Sequence, residues 1–448
     1  MEPSGRPLLR CPAGPSRSLA VVGRWAESGH DVGLQAGELA IGDHPAAVQL
    51  GEADLVVVNT CAFIEDARVE SVEAILDAAR ARRRGARLVV TGCLAARSGE
   101  ALADALPEVD AVIDVGVPVE LGGTRWRPRG GRFIAMDFLD LPRPASAVPW
   151  AYVKVAEGCD RRCGFCAIPQ FRGPQRSRAQ DAILAEVDDL GCREIVLVAQ
   201  DLASYGRDLG DPDALVRLVA AVAQRVSRVR LLYLYPQSLD GRLIDTIVAT
   251  GVPYFDLSLQ HVARPLLRRM RRFGSAPGVL ALVEGIRTRA PGAALRSSFI
   301  LGYPGETEAD HDELLDFLRA AELDWVGFFT YSEEEGTYAQ TLTDKVPAAL
   351  AAERLRECAE LQDEITARRR RSLVGSVVDV LVDEPGVGRS YREAPEIDGV
   401  IHLRRGCEPG TVQRVRIEAA VGPDLDGSVV GPAPLVSGSR PAPVGAWR

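Results

Sequence analysis

The sequence predicts an α/β protein in three parts: an N-terminal α/β sheet domain, a central (β/α)6 partial TIM-like barrel and a small antiparallel C-terminal β-barrel. Three observations carry this. A strand–helix–strand pattern spans residues 55–90. Six β-rich apolar runs then alternate with helical patterns, as in a parallel sheet with crossover helices. From Gly375 onward the texture changes to β-rich runs split by Gly, Pro and Asp, the pattern of a small barrel.

Taken in order, residues 1–50 mix Pro, Gly and Ser with short apolar stretches and show no clear period. Leu55-Val56-Val57-Val58 reads as a buried strand. Val69, Val72, Ile75, Leu76 and Ala79 recur at helical spacing, and Arg87-Leu88-Val89-Val90 is the second strand, expected parallel to the first. Residues 121–147, rich in Gly, Pro and Arg, read as a linker between an N-terminal domain (1–120) and the partial barrel (148–371). Its strands are expected at Tyr152–Val155, Ile195–Ala199, Val229–Leu234, Phe255–Leu259, Leu295–Leu301 and Val326–Tyr331. A charged helix over Pro347–Arg371 closes this region. The β-barrel is expected over 372–430, with runs at Val377–Val382, Val400–Leu403 and Thr411–Ile417, and the Pro/Gly/Ser-rich residues 431–448 as a disordered tail.

The 448 residues are 46 % hydrophobic and 26 % charged, ordinary for a globular protein. Met1–Arg10 lacks an apolar run of signal-peptide length, and no stretch approaches the roughly 18 apolar residues of a membrane span. A cytoplasmic protein is expected. A net charge of −9 argues against a general nucleic-acid binder, which carries a basic field. Nine cysteines in a long chain without an export signal read as free thiols, catalysts or metal ligands rather than a disulfide framework.

Three of them form the most informative feature. Cys159, Cys163 and Cys166 stand in a Cys-x3-Cys-x2-Cys loop directly after the first barrel strand. Complete ligation of a 4Fe–4S cluster takes four thiolates. Three on one loop cap three irons and leave the fourth for a chelating ligand. The amino and carboxylate groups of S-adenosylmethionine fit that iron and bring the sulfonium beside the cluster. One electron from a strongly reducing cluster can then cleave the sulfonium, giving a radical able to take hydrogen from an unactivated carbon. The loop lies at the carboxyl end of a barrel strand, where such folds place their sites. The bland alternative, structural zinc, wants a fourth ligand, usually as a second cysteine pair, and none follows within the usual distance.

The run Glu157–Arg178 resembles the signature of the radical-SAM methylthiotransferases. The resemblance continues through Ala199-Gln200-Asp201, Tyr235-Pro236-Gln237, Leu259-Gln260-His261, Phe299–Thr307 and Tyr331–Thr337. It reaches Gly388-Arg389-Ser390 and Ala394-Pro395-Glu396-Ile397-Asp398-Gly399, covering roughly residues 51–420. It implies a radical-SAM partial barrel, a TRAM-like terminal β-barrel, two 4Fe–4S clusters and S-adenosylmethionine. It also implies an electron donor of flavodoxin or ferredoxin type. The Cys-Asp-Arg-Arg-Cys, Gln-Phe-Arg-Gly, Tyr-Pro-Gln and Ala-Pro-Glu-Ile-Asp-Gly motifs resemble the branch of the family that methylthiolates the β-carbon of an aspartate in small-subunit ribosomal protein S-twelve (RimO-type). The alternatives are methylthiolation of tRNA adenosines, and a ribosome- or RNA-binding protein with an impaired auxiliary cluster. From Leu373 to Gly427, six arginines face ten acids. Such a surface would attract a basic ribosomal protein and repel an RNA backbone, unless it is simply solvated.

Cys61 and Cys93 each follow a strand of the N-terminal sheet, in Asn59-Thr60-Cys61 and Thr91-Gly92-Cys93. If the strands are neighbours, both thiols share a carboxyl edge, where open α/β sheets put ligands. The resemblance implies that they hold the auxiliary cluster with a third cysteine, which here is Cys11. Its surroundings, Arg10-Cys11-Pro12-Ala13-Gly14, depart from the family's Gly-Cys-x-Lys-Asn. The bland reading of Cys61 and Cys93 is buried thiols at strand ends.

Phe165, Gln200, Asp201, Gln260, His261, Ile300 and Gly302 are the expected cofactor contacts, each on the cysteine loop or at a strand's carboxyl end. His261 reads equally well as a hydrogen-bonded core residue, and no catalytic residue is assigned. Cys192, Cys358 and Cys407 read as structural. The runs Arg264, Arg268, Arg269, Arg271, Arg272 and Arg368–Arg371 read as solvated faces, with contact to ribosomal RNA or a carboxylate as the functional alternative.

Overall fold

A computed structural model of the chain describes residues 19–27, 30–34, 53, 55–60, 62, 65–112, 146 and 148–432. Two compact units divide the chain at residues 144/145.

The first unit contains β1 (Leu19–Glu27), β2 (His30–Leu34), β3 (Leu55–Thr60), α1 (Glu65–Ala81), β4 (Arg87–Gly92), α2 (Cys93–Ala105) and β5 (Ala111–Val112). The sheet order is β2-β1-β3-β4-β5, with every neighbour parallel except the β1–β2 hairpin. The strand–helix–strand pattern at 55–90 is therefore present as a parallel pair. Its strands show no alternation because both faces are covered: Val56, Val57, Val58, Leu88, Val89 and Val90 are all buried. The two strands at 19–34 fall where the sequence shows no period.

The second unit opens with β6 (Trp150–Lys154). A two-residue ladder follows between β7 (Ala156–Glu157) and β8 (Arg176–Ser177), enclosing the short helix α3 (Ile168–Arg172). The alternation then runs α4 (Gln180–Leu190), β9 (Glu194–Val198), α5 (Ala214–Ala223), β10 (Arg228–Leu231), α6 (Gly241–Ala249), β11 (Tyr254–Gln260), α7 (Arg264–Arg269), α8 (Ala276–Arg289), β12 (Ala294–Leu301), α9 (Glu308–Ala321) and β13 (Trp325–Thr330). β6-β9-β10 and β11-β12-β13 are parallel three-stranded sheets. Leu234 joins them: its N–H donates to Asp256 O at 2.9 Å, and its carbonyl accepts from Ser258 N at 2.9 Å. The six expected strands are thus present in sequence order around a partial barrel. Alternate residues face opposite layers. Ile195 and Leu197 pack under the helices, whereas Val196 and Val198 face the lumen with Tyr254, Ala294 and Trp325.

α10 (Ala348–Arg371) closes this region. The terminal strands β14 (Val377–Glu384), β15 (Val387–Arg389), β16 (Ile401–Leu403), β17 (Val412–Val421) and β18 (Asp424–Pro432) form a closed barrel in the order β14-β15-β16-β18-β17. One pair, β16–β18, is parallel, because the β17–β18 hairpin brings β18 back alongside β16 in the same direction. β18 also runs through Pro432, two residues beyond the expected end of the barrel. The expected linker, apart from Ser146, and residues 433–448 lie outside the described residues. Among the described residues, no helix is long and apolar enough to cross a membrane.

The loop between β15 and β16 inserts into the amino end of the barrel. Ala394 and Ile397 join the luminal cluster. Tyr254 donates to Asp398 at 2.6 Å, Tyr152 to Pro395 O at 3.0 Å, and Trp325 Nε1 to Arg392 O at 2.8 Å. The Ala-Pro-Glu-Ile-Asp-Gly motif is therefore the floor plug of the partial barrel. Among the ten acids of the terminal segment, Asp383, Glu393 and Asp398 pair with buried arginines, and Glu396 is half-buried on Tyr152. The outward charge is milder than the count implies.

Candidate active site at the carboxyl mouth of the barrel

All six barrel strands are parallel, so the segments after them meet at one edge, opposite the plug. The cysteine loop is built there by backbone constraints. Gly158 has φ +79°, and a Cβ there would fall 2.2 Å from Pro174 O, so only glycine fits. Cys159 N donates to Gly173 O at 3.1 Å. The loop base is anchored by buried Glu157, which pairs with Lys154 and, at 3.1 Å, Arg172. Gly164 donates to Met270 O at 2.8 Å and accepts from Ala339 N at 2.8 Å. One residue thereby ties the loop to the segments after β11 and β13. Gln170 adds a bond to Gly336 O at 2.8 Å, which gives the Ser-Glu-Glu-Glu-Gly-Thr stretch a bracing role.

The thiols are half-buried or buried. Burial pushes Cys159 up to about 11 and Cys166 up to about 12, and the neighbouring loop thiols push in the same direction. Two thiols that are costly to ionise by themselves, Cys159 and Cys166, suit a site completed by a cation. Two already receive N–H donors: Arg161 N to Cys159 Sγ and Arg272 Nη1 to Cys163 Sγ, both 3.4 Å. Among the described residues no three His, Cys, Asp or Glu groups close around one metal ion. Three cysteine sulfurs on one loop are the donor type that an iron–sulfur cluster takes, one iron to each.

Around the loop, Asp201 is buried and accepts from Arg161 Nε and Ser204 Oγ, each at 2.6 Å. Its other oxygen has no partner among the described residues, nor has either amide atom of buried Gln175. These groups line a cavity of about 180 Å³ with Asp160, Arg207 and Asp208. Two guanidiniums lie over the Tyr235 ring, Arg161 at 3.8 Å and Arg272 at 4.4 Å.

The expected cofactor contacts divide. Phe165 and Ile300 are half-buried beside Ala263, Leu266, Met270 and Tyr303. Gln200 is half-buried just beyond β9, with its Oε1 unpartnered among the described residues. Gln260, with φ +72°, ends β11 at a register shift. His261 is buried. Burial lowers it to about 4, its titratable neighbours are Asp310, His311 and Arg354, and Nδ1 accepts from Ala263 N at 3.1 Å. Those neighbours place it toward α9 and α10. Gly302 is required by helix packing, since a Cβ there would lie 2.5 Å from the Ala351 Cβ. Its neighbour Glu306 accepts from Gly302 N and pairs with Arg354 at 3.3 Å, bracing the turn.

In the first unit, Cys93 is buried at the start of α2. Thr60 and Gly92 are directly paired at the carboxyl ends of β3 and β4. Gly92 has φ +98°, and a Cβ there would lie 2.5 Å from Thr60 O. Cys61 and Cys11 lie outside the described residues.

The sequence reading missed Arg161, Tyr235 and Arg272 as site residues. The first two stand inside motifs that carry the family resemblance. Arg272 was hidden in a run of arginines that otherwise reads as solvated; it is buried, whereas Arg264, Arg268, Arg269 and Arg271 are exposed. The second run also divides: Arg370 pairs with buried Glu393, Arg369 with Asp324 at 2.9 Å and Arg368 with Glu322 at 2.7 Å.

Family models match three stretches: Radical SAM superfamily over residues 153–318, Uncharacterized protein family UPF0004 over 28–114, and TRAM domain over 374–430. A protein of Desulforudis audaxviator named ribosomal protein uS12 methylthiotransferase RimO is 43 % identical, over 86 % of this chain and 90 % of that one. One of the same name from Kineococcus radiotolerans is 39 % identical, over 92 % and 97 %. Among solved structures, the radical S-adenosylmethionine methyltransferase TsrM of Kitasatospora setae has a TM-score of 0.44 at 17 % identity, covering 63 % of this chain and 65 % of that one.

Proposed function

The chain belongs to the ribosomal protein uS12 methylthiotransferase family, and from that premise we propose that it adds a methylthio group to the β-carbon of an aspartate in uS12. The observation that carries the reading is the trio of thiols at the barrel mouth, in a chain that matches those relatives over most of its length. An iron–sulfur cluster and S-adenosylmethionine are its cofactors. We assign the cluster to Cys159, Cys163 and Cys166. When bound, it and S-adenosylmethionine supply a reducing electron, hydrogen abstraction from an unactivated carbon and the methyl group.

The chain's own residues prepare that site. Gly158 and Gly164 hold the backbone path of the cysteine loop, since a Cβ at either would clash with its neighbours. Asp201 holds Arg161, whose guanidinium lies over the Tyr235 ring. Phe165 stands in the cysteine loop and Gln200, Gln260 and Ile300 stand at the carboxyl ends of their strands, and these four are the proposed contacts for S-adenosylmethionine. Gly302 and His261 support the wall behind them.

A second 4Fe–4S cluster is proposed on Cys11, Cys61 and Cys93. The pairing of Thr60 with Gly92 supports it, since the residue that follows each in the sequence is a cysteine. On this reading residues 1–120 carry the sulfur to be inserted, 148–371 generate the carbon radical, and 372–430 brace the barrel floor and meet the basic ribosomal substrate. The electron comes from a flavodoxin or ferredoxin type donor, and the enzyme acts in the cytoplasm.

Mass spectrometry of uS12 and of bulk tRNA from a strain lacking the gene tests the reading. Loss of one methylthio mass from uS12, with tRNA unchanged, is expected. Loss from tRNA alone would overturn the substrate.

A further inference from the structure

We infer that Arg272 is a positioning residue that, through Cys163, sets how readily the loop cluster accepts its electron. The inference rests on the assignment of that cluster to Cys159, Cys163 and Cys166.

Arg272 is 6 % exposed, and among the described residues no carboxylate pairs with it. Arg161, the other guanidinium against Tyr235, is paired with Asp201 at 2.6 Å. A buried cation without a counter-charge is costly, so Arg272 needs an anion at its head. The group there is a sulfur: Nη1 points at Cys163 Sγ from 3.4 Å. The other contacts aim the fork at it. Nη2 donates to Ser258 O, and the guanidinium plane rests 4.4 Å from the Tyr235 ring centre. Arg272 N also donates to Leu267 O at 2.8 Å, fixing the backbone beyond α7. Three anchors hold one charged donor on one ligand sulfur.

A three-thiolate cluster gains negative charge when it takes an electron. A charged N–H donor at a ligand sulfur stabilises the reduced form more than the oxidised one, so it raises the potential. Arg272 therefore makes the cluster easier to reduce than the bare three-cysteine loop would be.

The test uses the full-length protein with Cys11, Cys61 and Cys93 changed to alanine, so that only the loop cluster contributes. After anaerobic reconstitution, iron and sulfide are counted and the cluster is titrated potentiometrically, with its electron spin resonance signal as the readout. Arg272→Met is expected to make one-electron reduction about tenfold less favourable, a midpoint about 59 mV more negative. Arg272→Gln is expected to shift in the same direction, and Arg272→Lys, which keeps the charge, by less than either. An unchanged midpoint in a fully loaded Met or Gln variant overturns the inference and leaves the cluster assignment standing. Loss of iron from both variants also overturns it, because Arg272 would then build the site rather than tune it. If the parent protein takes up no iron, the cluster assignment fails, and the inference with it.

Discussion

Arg389 of the terminal barrel and Glu194 at the first position of β9 form an ion pair of 3.0 Å with both side chains buried. It fastens the terminal barrel to the floor of the catalytic one. Arg230 Nε shares the same carboxylate at 2.8 Å, and Arg228 donates to Arg389 O at 2.8 Å. Removing one partner of a buried pair leaves an uncompensated charge. Arg389→Met is therefore expected to destabilise the unit by about 3 kcal/mol, measured by urea unfolding. Adding Glu194→Gln should recover part of the loss, the non-additivity that marks direct coupling.

The same carboxylate gives an acid-side signature. Burial pushes Glu194 up, but Arg389, Arg230 and Arg228 outweigh it and hold it at about 2. Its folded value lies below its unfolded one, so its contribution is complete above pH about 4.5 and lost as pH falls toward 2. The stability gap between wild type and Glu194→Gln should be constant from pH 5 to 8 and narrow below about pH 4.5, read from thermal midpoints.

Glu396, in the plug, has the opposite sign. Burial raises it to about 7, against the smaller lowering effects of the Tyr152 hydrogen bond and Arg389. The folded chain binds this proton more tightly than the unfolded chain, so stability falls as pH rises from about 4.5 through 7. Glu396→Gln should raise the thermal midpoint more at pH 8 than at pH 5. Equal shifts at both would contradict the assignment.

At the mouth, a Cβ on Gly164 would fall 2.6 Å from Tyr303 Oη and 3.1 Å from Arg269 O. Gly164→Ala should cost about 1–3 kcal/mol by overpacking and lower the iron retained after reconstitution. Tyr303→Phe in the same chain removes the nearer obstacle and should restore part of both.

The second cluster makes a countable prediction. With Cys159, Cys163 and Cys166 changed to alanine, roughly four irons per chain should remain. With Cys11, Cys61 and Cys93 also changed, almost none should. Loss of nearly all iron in the first variant would show that the N-terminal cysteines hold no cluster.

Much of this was legible in the sequence because periodicity and spacing are local. Strands buried on both faces read as apolar runs, so Val56–Val58 and Ile195–Val198 identified themselves, and Cys159, Cys163 and Cys166 lie within eight residues. What stayed hidden depends on distant partners. Arg272 and Arg264 look alike in sequence, but only Arg272 turns inward, onto a sulfur 109 residues away. Gly302 suggested close approach to a ligand, yet its neighbour is Ala351 on α10. The Ala-Pro-Glu-Ile-Asp-Gly motif carried the family resemblance without revealing that it plugs a barrel whose strands begin more than 200 residues earlier.

The most direct test of the central claim is complementation. A strain lacking the gene is supplied with the wild-type chain or with the Cys159/Cys163/Cys166→Ala variant, and the uS12 peptide containing the target aspartate is weighed. The account predicts the added methylthio mass with wild type and its absence with the variant. An unmodified peptide with wild type, or a modified one with the variant, would contradict it.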